Sequence, residues 1–145
     1  MKIYLDACCW NRPFDDQAQH RIRLEAEAVL SIITRSRADD FTLAASEAIE
    51  FELSKIPDAD KLEKVRSLYS AAGARLFYTE ETKKRALFFQ RQGMKPLDSL
   101  HLALAEEYRQ DILLTTDDAF IVTAERCEAG VPVANPVVWL MKEAL

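Results

Sequence analysis

Two short apolar runs, each ending abruptly in a carboxylate, restrict the fold of this chain more than anything else in it. Ile3-Tyr4-Leu5 runs into Asp6, and Ile112-Leu113-Leu114-Thr115-Thr116 runs into Asp117. Apolar runs of this length without polar alternation read as strands buried on both faces, the habit of parallel sheets. Strands in such a sheet carry their functional groups out at their carboxyl ends. Two of them delivering acids to one edge make a charged pocket.

The intervening sequence has the helices that parallel connections need. Asp15 and Asp16 signal a helix start after a loop over 8–16, and the spacing of Ile22, Ala26, Val29 and Ile33 predicts a helix over 17–37. Arg21, Arg23, Glu25 and Arg35 fall mostly on its other faces. A strand is expected over 41–45. Ser46 is the expected N-cap of a helix carrying Glu47, Glu50 and Glu52, which Pro57 ends. A helix over 58–72 follows, with Gly73 as its C-cap. Then come a strand over 75–78, a helix over 80–92 capped by Thr79 and stopped by Gly93, and a Leu- and Ala-rich helix over 96–109 that Pro96 opens. After the strand 112–115 the pattern predicts a helix to about 128, an edge strand over 131–134 and a helix over 136–145. The whole reads as one domain, 1–145: a three-layer α/β/α fold around a central, mainly parallel sheet.

Composition narrows the function classes. With 49% hydrophobic and 30% charged residues, and only 3 Gly and 5 Pro, the chain has the makings of a packed core and no disordered segment. No apolar run approaches the roughly 18 residues that span a bilayer, and the N-terminus has no signal-peptide core, so a cytoplasmic protein is expected. A net charge of −5 argues against broad electrostatic tracking along nucleic acid. It leaves room for a nucleic-acid enzyme, because metal-binding carboxylates make the bare chain acidic and bound cations reverse the local sign. Cys8, Cys9 and Cys127 have no disulfide or metal-binding spacing and read as small apolar residues.

Four acids stand out. Singly, each has a structural explanation: an Asx turn for Asp6, a first-turn helix acid for Asp98, an N-cap for Asp117, a solvated helix residue for Glu52. Jointly, their places in a right-handed doubly wound sheet put them on one rim. Four neighbouring carboxylates stay ionised only with compensation, and hard cations held by oxygen ligands supply it, Mg²⁺ or Mn²⁺ before Zn²⁺. His101, one helical turn beyond Asp98, reads as a buried or hydrogen-bonded histidine. Trp10 and Phe14 read as packing over the first helix.

The combination Ile3-Tyr4-Leu5-Asp6, Ser46 with Glu52-Leu53, Asp98-Ser99-Leu100-His101-Leu102-Ala103 and Leu114-Thr115-Thr116-Asp117-Asp118-Ala119-Phe120 resembles the PIN domain family in order and spacing. The resemblance implies a Mg²⁺- or Mn²⁺-dependent endoribonuclease, with Asp6, Glu52, Asp98 and Asp117 as its acidic quartet and Asp6, Asp98 and Asp117 as metal ligands. It gives Thr115 and Asp118 supporting places near the site. Small members of the family are often VapC-like toxins, which implies a single-stranded RNA substrate, a protein antitoxin and a homodimer. The pattern departs from the family at Ala7, where a Thr or Ser hydroxyl commonly follows the first Asp; Asn11 or Arg12 would then take a polar role. Glu47 and Glu50 remain alternatives to Glu52 if the helix starts elsewhere. A PIN-fold RNA-binding protein without catalysis is the alternative function.

Overall fold

The structure is a computed structural model that describes residues 1–38 and 40–144. Among these residues the sheet has five strands: β1 (Lys2–Leu5), β2 (Thr42–Ser46), β3 (Ala74–Leu76), β4 (Ile112–Leu114) and β5 (Val133–Ala134). They lie in the order β3-β2-β1-β4-β5. Every neighbouring pair is parallel, so the mainly parallel sheet expected from sequence is wholly parallel. Ile3 lies opposite Leu43 on one side and Ile112 on the other, and Leu5 opposite Leu114. Ile3, Tyr4, Leu5, Leu113 and Leu114 are fully buried, as strands with a helical layer over each face must be.

Among the described residues eight α-helices connect and cover the strands: α1 (Ala7–Asn11), α2 (His20–Arg37), α3 (Glu47–Leu53), α4 (Ala59–Tyr69), α5 (Glu80–Arg91), α6 (Pro96–Glu107), α7 (Asp118–Arg126) and α8 (Pro136–Ala144). α2 packs on α8 and α5 on α6. Leu102 to Ala105, the middle of α6, are buried to within 1%. The chain steps outward from β1 through β2 to β3, then returns to the other side of β1 for β4. The reversal of strand order at β1 is the switch point at which doubly wound folds open a crevice.

Several boundaries differ from the sequence expectation, each for a local reason. The loop expected over 8–16 is mostly helical: α1 starts directly on Asp6, and a 3-10 turn follows over Arg12–Phe14. α2 begins at His20 rather than 17, because Asp16 accepts the Ala18 N–H and the Gln17 side chain folds back onto the Arg12 and Asp15 carbonyls. α3 stops at Leu53, before Pro57 can act, as Lys55 and Ile56 make tight three-residue bonds to Glu52 and Leu53. Gly73 is not a C-cap. α4 ends at Tyr69, and the Gly73 N–H donates to the Leu43 carbonyl at 2.8 Å, leading into β3. Gly93, at φ +99°, does turn the chain after α5 through a backbone region that favours glycine. The last helix was expected to reach 145; Leu145 lies outside the described residues.

Among the described residues, no helix is long and apolar enough to cross a membrane.

Candidate metal centre

Asp6 leaves the end of β1 and becomes the N-cap of α1, its Oδ1 accepting the Ala7 N–H at 2.7 Å. It is 4% exposed, so its remaining lone pairs need partners inside the protein. The Thr115 hydroxyl donates to Oδ2 at 2.8 Å and the Cys8 thiol at 3.4 Å. Cys8 also accepts the Thr116 N–H at 3.3 Å. Thus Thr115 and Cys8 supply hydrogen bonds to the first acid, although the position after it is Ala7. Cys9 and Cys127 are buried as expected, whereas Cys8 is half-buried and polar in its contacts.

The other acids arrive from separate elements. Asp117 caps α7, its Oδ1 accepting the Ala119 and Phe120 N–H groups at 2.9 and 3.3 Å. Its own N–H donates to Thr115 Oγ1 at 3.1 Å, so one hydroxyl links the ends of β1 and β4. Asp98 lies in the first turn of α6. Because α6 leads into β4 it runs against the strands, and its N-terminus comes to their carboxyl edge.

Asp98 reports how close the acids are. Its carboxyl is pushed up to about 7, first by burial and then by the negative charges of Asp6 and Asp117, with a smaller push from Glu52. The imidazole of His101 acts the other way. This crowding calls for compensating positive charge.

Of the three acids on α3, Glu52 turns to this cluster. Glu50 is held by Tyr69 Oη at 2.9 Å and by Arg75 at 2.6 Å. Glu47 acts on Tyr78, helping burial to raise its phenol. Glu52 Oε1 instead accepts from His101 Nε2 at 2.5 Å, and the same nitrogen is 3.4 Å from Asp6 Oδ1. His101 is fully buried and hydrogen-bonded, as the sequence suggested, but its partners reach into the acid cluster. Asp6, Glu52 and His101 each offer one ligand atom within 4.8 Å of the others. With Asp98 and Asp117 beside them, the donor set is mostly carboxylate oxygen, which fits a hard divalent cation.

Not every candidate meets the cluster. Asp118 is exposed and takes both terminal nitrogens of Arg21, at 2.9 and 2.8 Å, which lowers its carboxyl and raises the guanidinium. Asn11 makes no hydrogen bond to the acids among the described residues, and its Oδ1 is buried without a partner. Arg12 does take a polar role, donating to Thr116 Oγ1 at 2.7 Å. Trp10 is buried edge-on against Tyr69, and Phe14 packs at the core margin.

Glu25 corrects the sequence reading outright. It is 1% exposed on α2, within 3.2 Å of Arg12 Nε and 3.1 Å of Arg21 Nε, and accepts from Asn135 Nδ2 at 2.6 Å. Spacing could have revealed it, since residue 25 falls between Ile22 and Val29 on the apolar stripe.

Comparisons with known proteins bear on the fold and the family. No curated protein matches the chain in sequence. Among solved structures, a chain of VapBC2 from Rickettsia felis, bound to a DNA fragment from the promoter, superposes with a TM-score of 0.65 at 11% identity, covering 93% of this chain and 98% of that one. The protein PAE2754 from Pyrobaculum aerophilum gives 0.57 at 12% identity, over 100% and 91% of the two chains. A chain of FitAB bound to a DNA fragment gives 0.59 at 18% identity, over 93% and 95%. These likenesses concern the fold. The sequence profile of the PIN domain matches residues 3–126, from the first strand through the last residue of α7, and on that match the chain belongs to the PIN domain family.

Proposed function

We propose that this protein is a divalent-metal-dependent endoribonuclease acting on single-stranded RNA, with Asp6, Glu52, Asp98 and Asp117 as its acidic site. The observation that carries this reading is the convergence of Asp6, Glu52 and Asp117 on Asp98, whose carboxyl is pushed up to about 7 first by burial and then by these acids. Acids crowded to that degree are unfavourable in a scaffold unless a cation offsets them.

In this reading Asp6, Asp98 and Asp117 hold Mg²⁺ or Mn²⁺, and Glu52 completes the shell. Bound metal supplies positive charge against the scissile phosphate and makes water nucleophilic near neutral pH. The protein's own contribution is positioning. Ala7 N–H and the Thr115 hydroxyl fix both oxygens of Asp6. The α7 N-terminus occupies one oxygen of Asp117 and leaves the other free for a ligand.

The VapC-like resemblance and the fold shared with the VapBC2 and FitAB chains support a toxin of a type II pair, held by a protein antitoxin. A cytoplasmic homodimer, built from a single domain per chain, belongs to the same reading.

The deciding experiment is cleavage of end-labelled single-stranded RNA with Mn²⁺ or Mg²⁺, comparing wild type, Asp98→Asn and an EDTA control. Metal-dependent cutting by wild type alone is expected. Equal cutting by both proteins would remove Asp98 from the site, and no cutting despite retained metal binding would favour an RNA-binding role.

A further inference from the structure

A buried chain of hydrogen bonds runs from the start of α3 to Glu52. Ser46 Oγ accepts the Ile49 N–H at 3.1 Å and lies 2.7 Å from Tyr4 Oη. Tyr4 Oη lies 2.6 Å from His101 Nδ1, and His101 Nε2 lies 2.5 Å from Glu52 Oε1. Ser46, Tyr4 and His101 are all fully buried, so each hydrogen must find its acceptor within the chain.

Counting donors gives the chain a direction. An ionised carboxylate only accepts, so Nε2 carries a hydrogen and donates to Glu52. Ser46 Oγ already accepts from Ile49, and among the described residues Tyr4 Oη is the acceptor within reach of its hydroxyl hydrogen. Tyr4 then donates to Nδ1, which leaves a neutral imidazole protonated on Nε2. Were the ring charged, Nε2–H would still donate to Glu52; the contact with the carboxylate is the same in both states.

We infer that His101 is a positioning residue for Glu52: braced by Tyr4, it occupies Oε1 and leaves Oε2 as the oxygen this carboxylate offers a cation. This rests on the reading of Glu52 as part of the metal site. It also sets His101 apart from the ligands, since Nε2 cannot bind a metal while donating its hydrogen to Glu52. Oε2 has no hydrogen-bond partner among the described residues, which suits that assignment. Glu52 is 29% exposed at the side chain and sits at the end of a seven-residue helix, so without the brace it has solvent-facing conformations available.

The test is calorimetric titration of the intact protein with Mn²⁺ alone, with thermal melts as a folding control. Loss of a group that orients a ligand typically weakens metal binding about 10- to 100-fold, and that is expected of His101→Leu. Tyr4→Phe should weaken binding in the same direction by less. His101→Gln places an amide N–H near the position of Nε2 and should recover most of the affinity. Wild-type affinity in both Tyr4→Phe and His101→Leu would overturn the inference; if His101→Leu does not fold, Tyr4→Phe decides alone. His101→Gln as damaging as His101→Leu would make the imidazole itself the ligand, and overturn it too. Wild type that binds no Mn²⁺, or Asp98→Asn that binds it equally, would instead sink the metal-site reading and this inference with it.

Discussion

Asp98 is a residue whose burial works against the fold and for the site. Its carboxyl titrates near 7 in the folded protein against the usual 3.8 in an unfolded chain. Between those values the unfolded chain has released a proton that the folded one keeps. Metal-free stability therefore falls as pH rises from about 4 to about 7 and levels off above that. Asp98→Asn removes this slope. Without metal the variant should melt higher than wild type at pH 8 and with it near pH 4, a difference that melts at several pH values will read. Thr115 makes a different case, a small group that serves the site and the fold together. Thr115→Val keeps the shape but takes the hydroxyl from Asp6 and from the Asp117 N–H. Mn²⁺ affinity should drop about 10- to 100-fold, and the groups left unsatisfied should cost about 1–3 kcal/mol of stability, as calorimetry beside thermal melts will tell.

At the scale of elements, Glu25 ties three segments that are remote in sequence. It joins α2 to the 3-10 turn through Arg12 and to the start of α8 through Asn135. Glu25→Ala leaves Arg12, only 19% exposed, with Asp15 and Thr116 as its remaining partners, and losing the buried acid should cost about 1–3 kcal/mol. Urea unfolding should register that loss, and a change under 1 kcal/mol would mean that solvent already screens the pair. Thr79 gives a milder comparison. It caps α5 in a reciprocal capping box with Thr82, so Thr79→Ala should cost about 1 kcal/mol and leave Mn²⁺ binding intact. Thr79 was readable in the sequence because a cap is local: one hydroxyl ahead of one helix. For Glu25 spacing reveals the place on the apolar stripe but not what holds it there, because a buried charge is stable only with partners that the fold brings from elsewhere. The same distinction explains the acids. That Asp6 and Asp117 end apolar runs is a local fact. Glu52 is the acid that the spacing from Ser46 picks out, while the hold of Tyr69 and Arg75 on Glu50 comes from other elements and needs the assembled fold. His101 was legible as a buried histidine, while its place between Tyr4 and Glu52 needed three elements to be assembled.

For the whole molecule, crowded acids without a cation mean that ligand and stability are linked. Mn²⁺ at about a hundred times its dissociation constant should stabilise wild type by about 2.7 kcal/mol and leave Asp98→Asn unmoved, with EDTA reversing the gain in a thermal melt. The sheet order has a further consequence, in time rather than in energy. Of the five strands β1 is made first, yet its partner β4 lies more than a hundred residues later, with Ile3 opposite Ile112. At about 5–20 residues per second, that is roughly 5–20 s in which the central strand has an unpaired edge. Asp117 is made later still, just after β4. A nascent or prematurely ended chain thus carries Asp6 and Glu52 without the acid that completes the cluster. Order of synthesis withholds the assembled carboxyl edge until β4 and the start of α7 have been made, however early β1 leaves the ribosome.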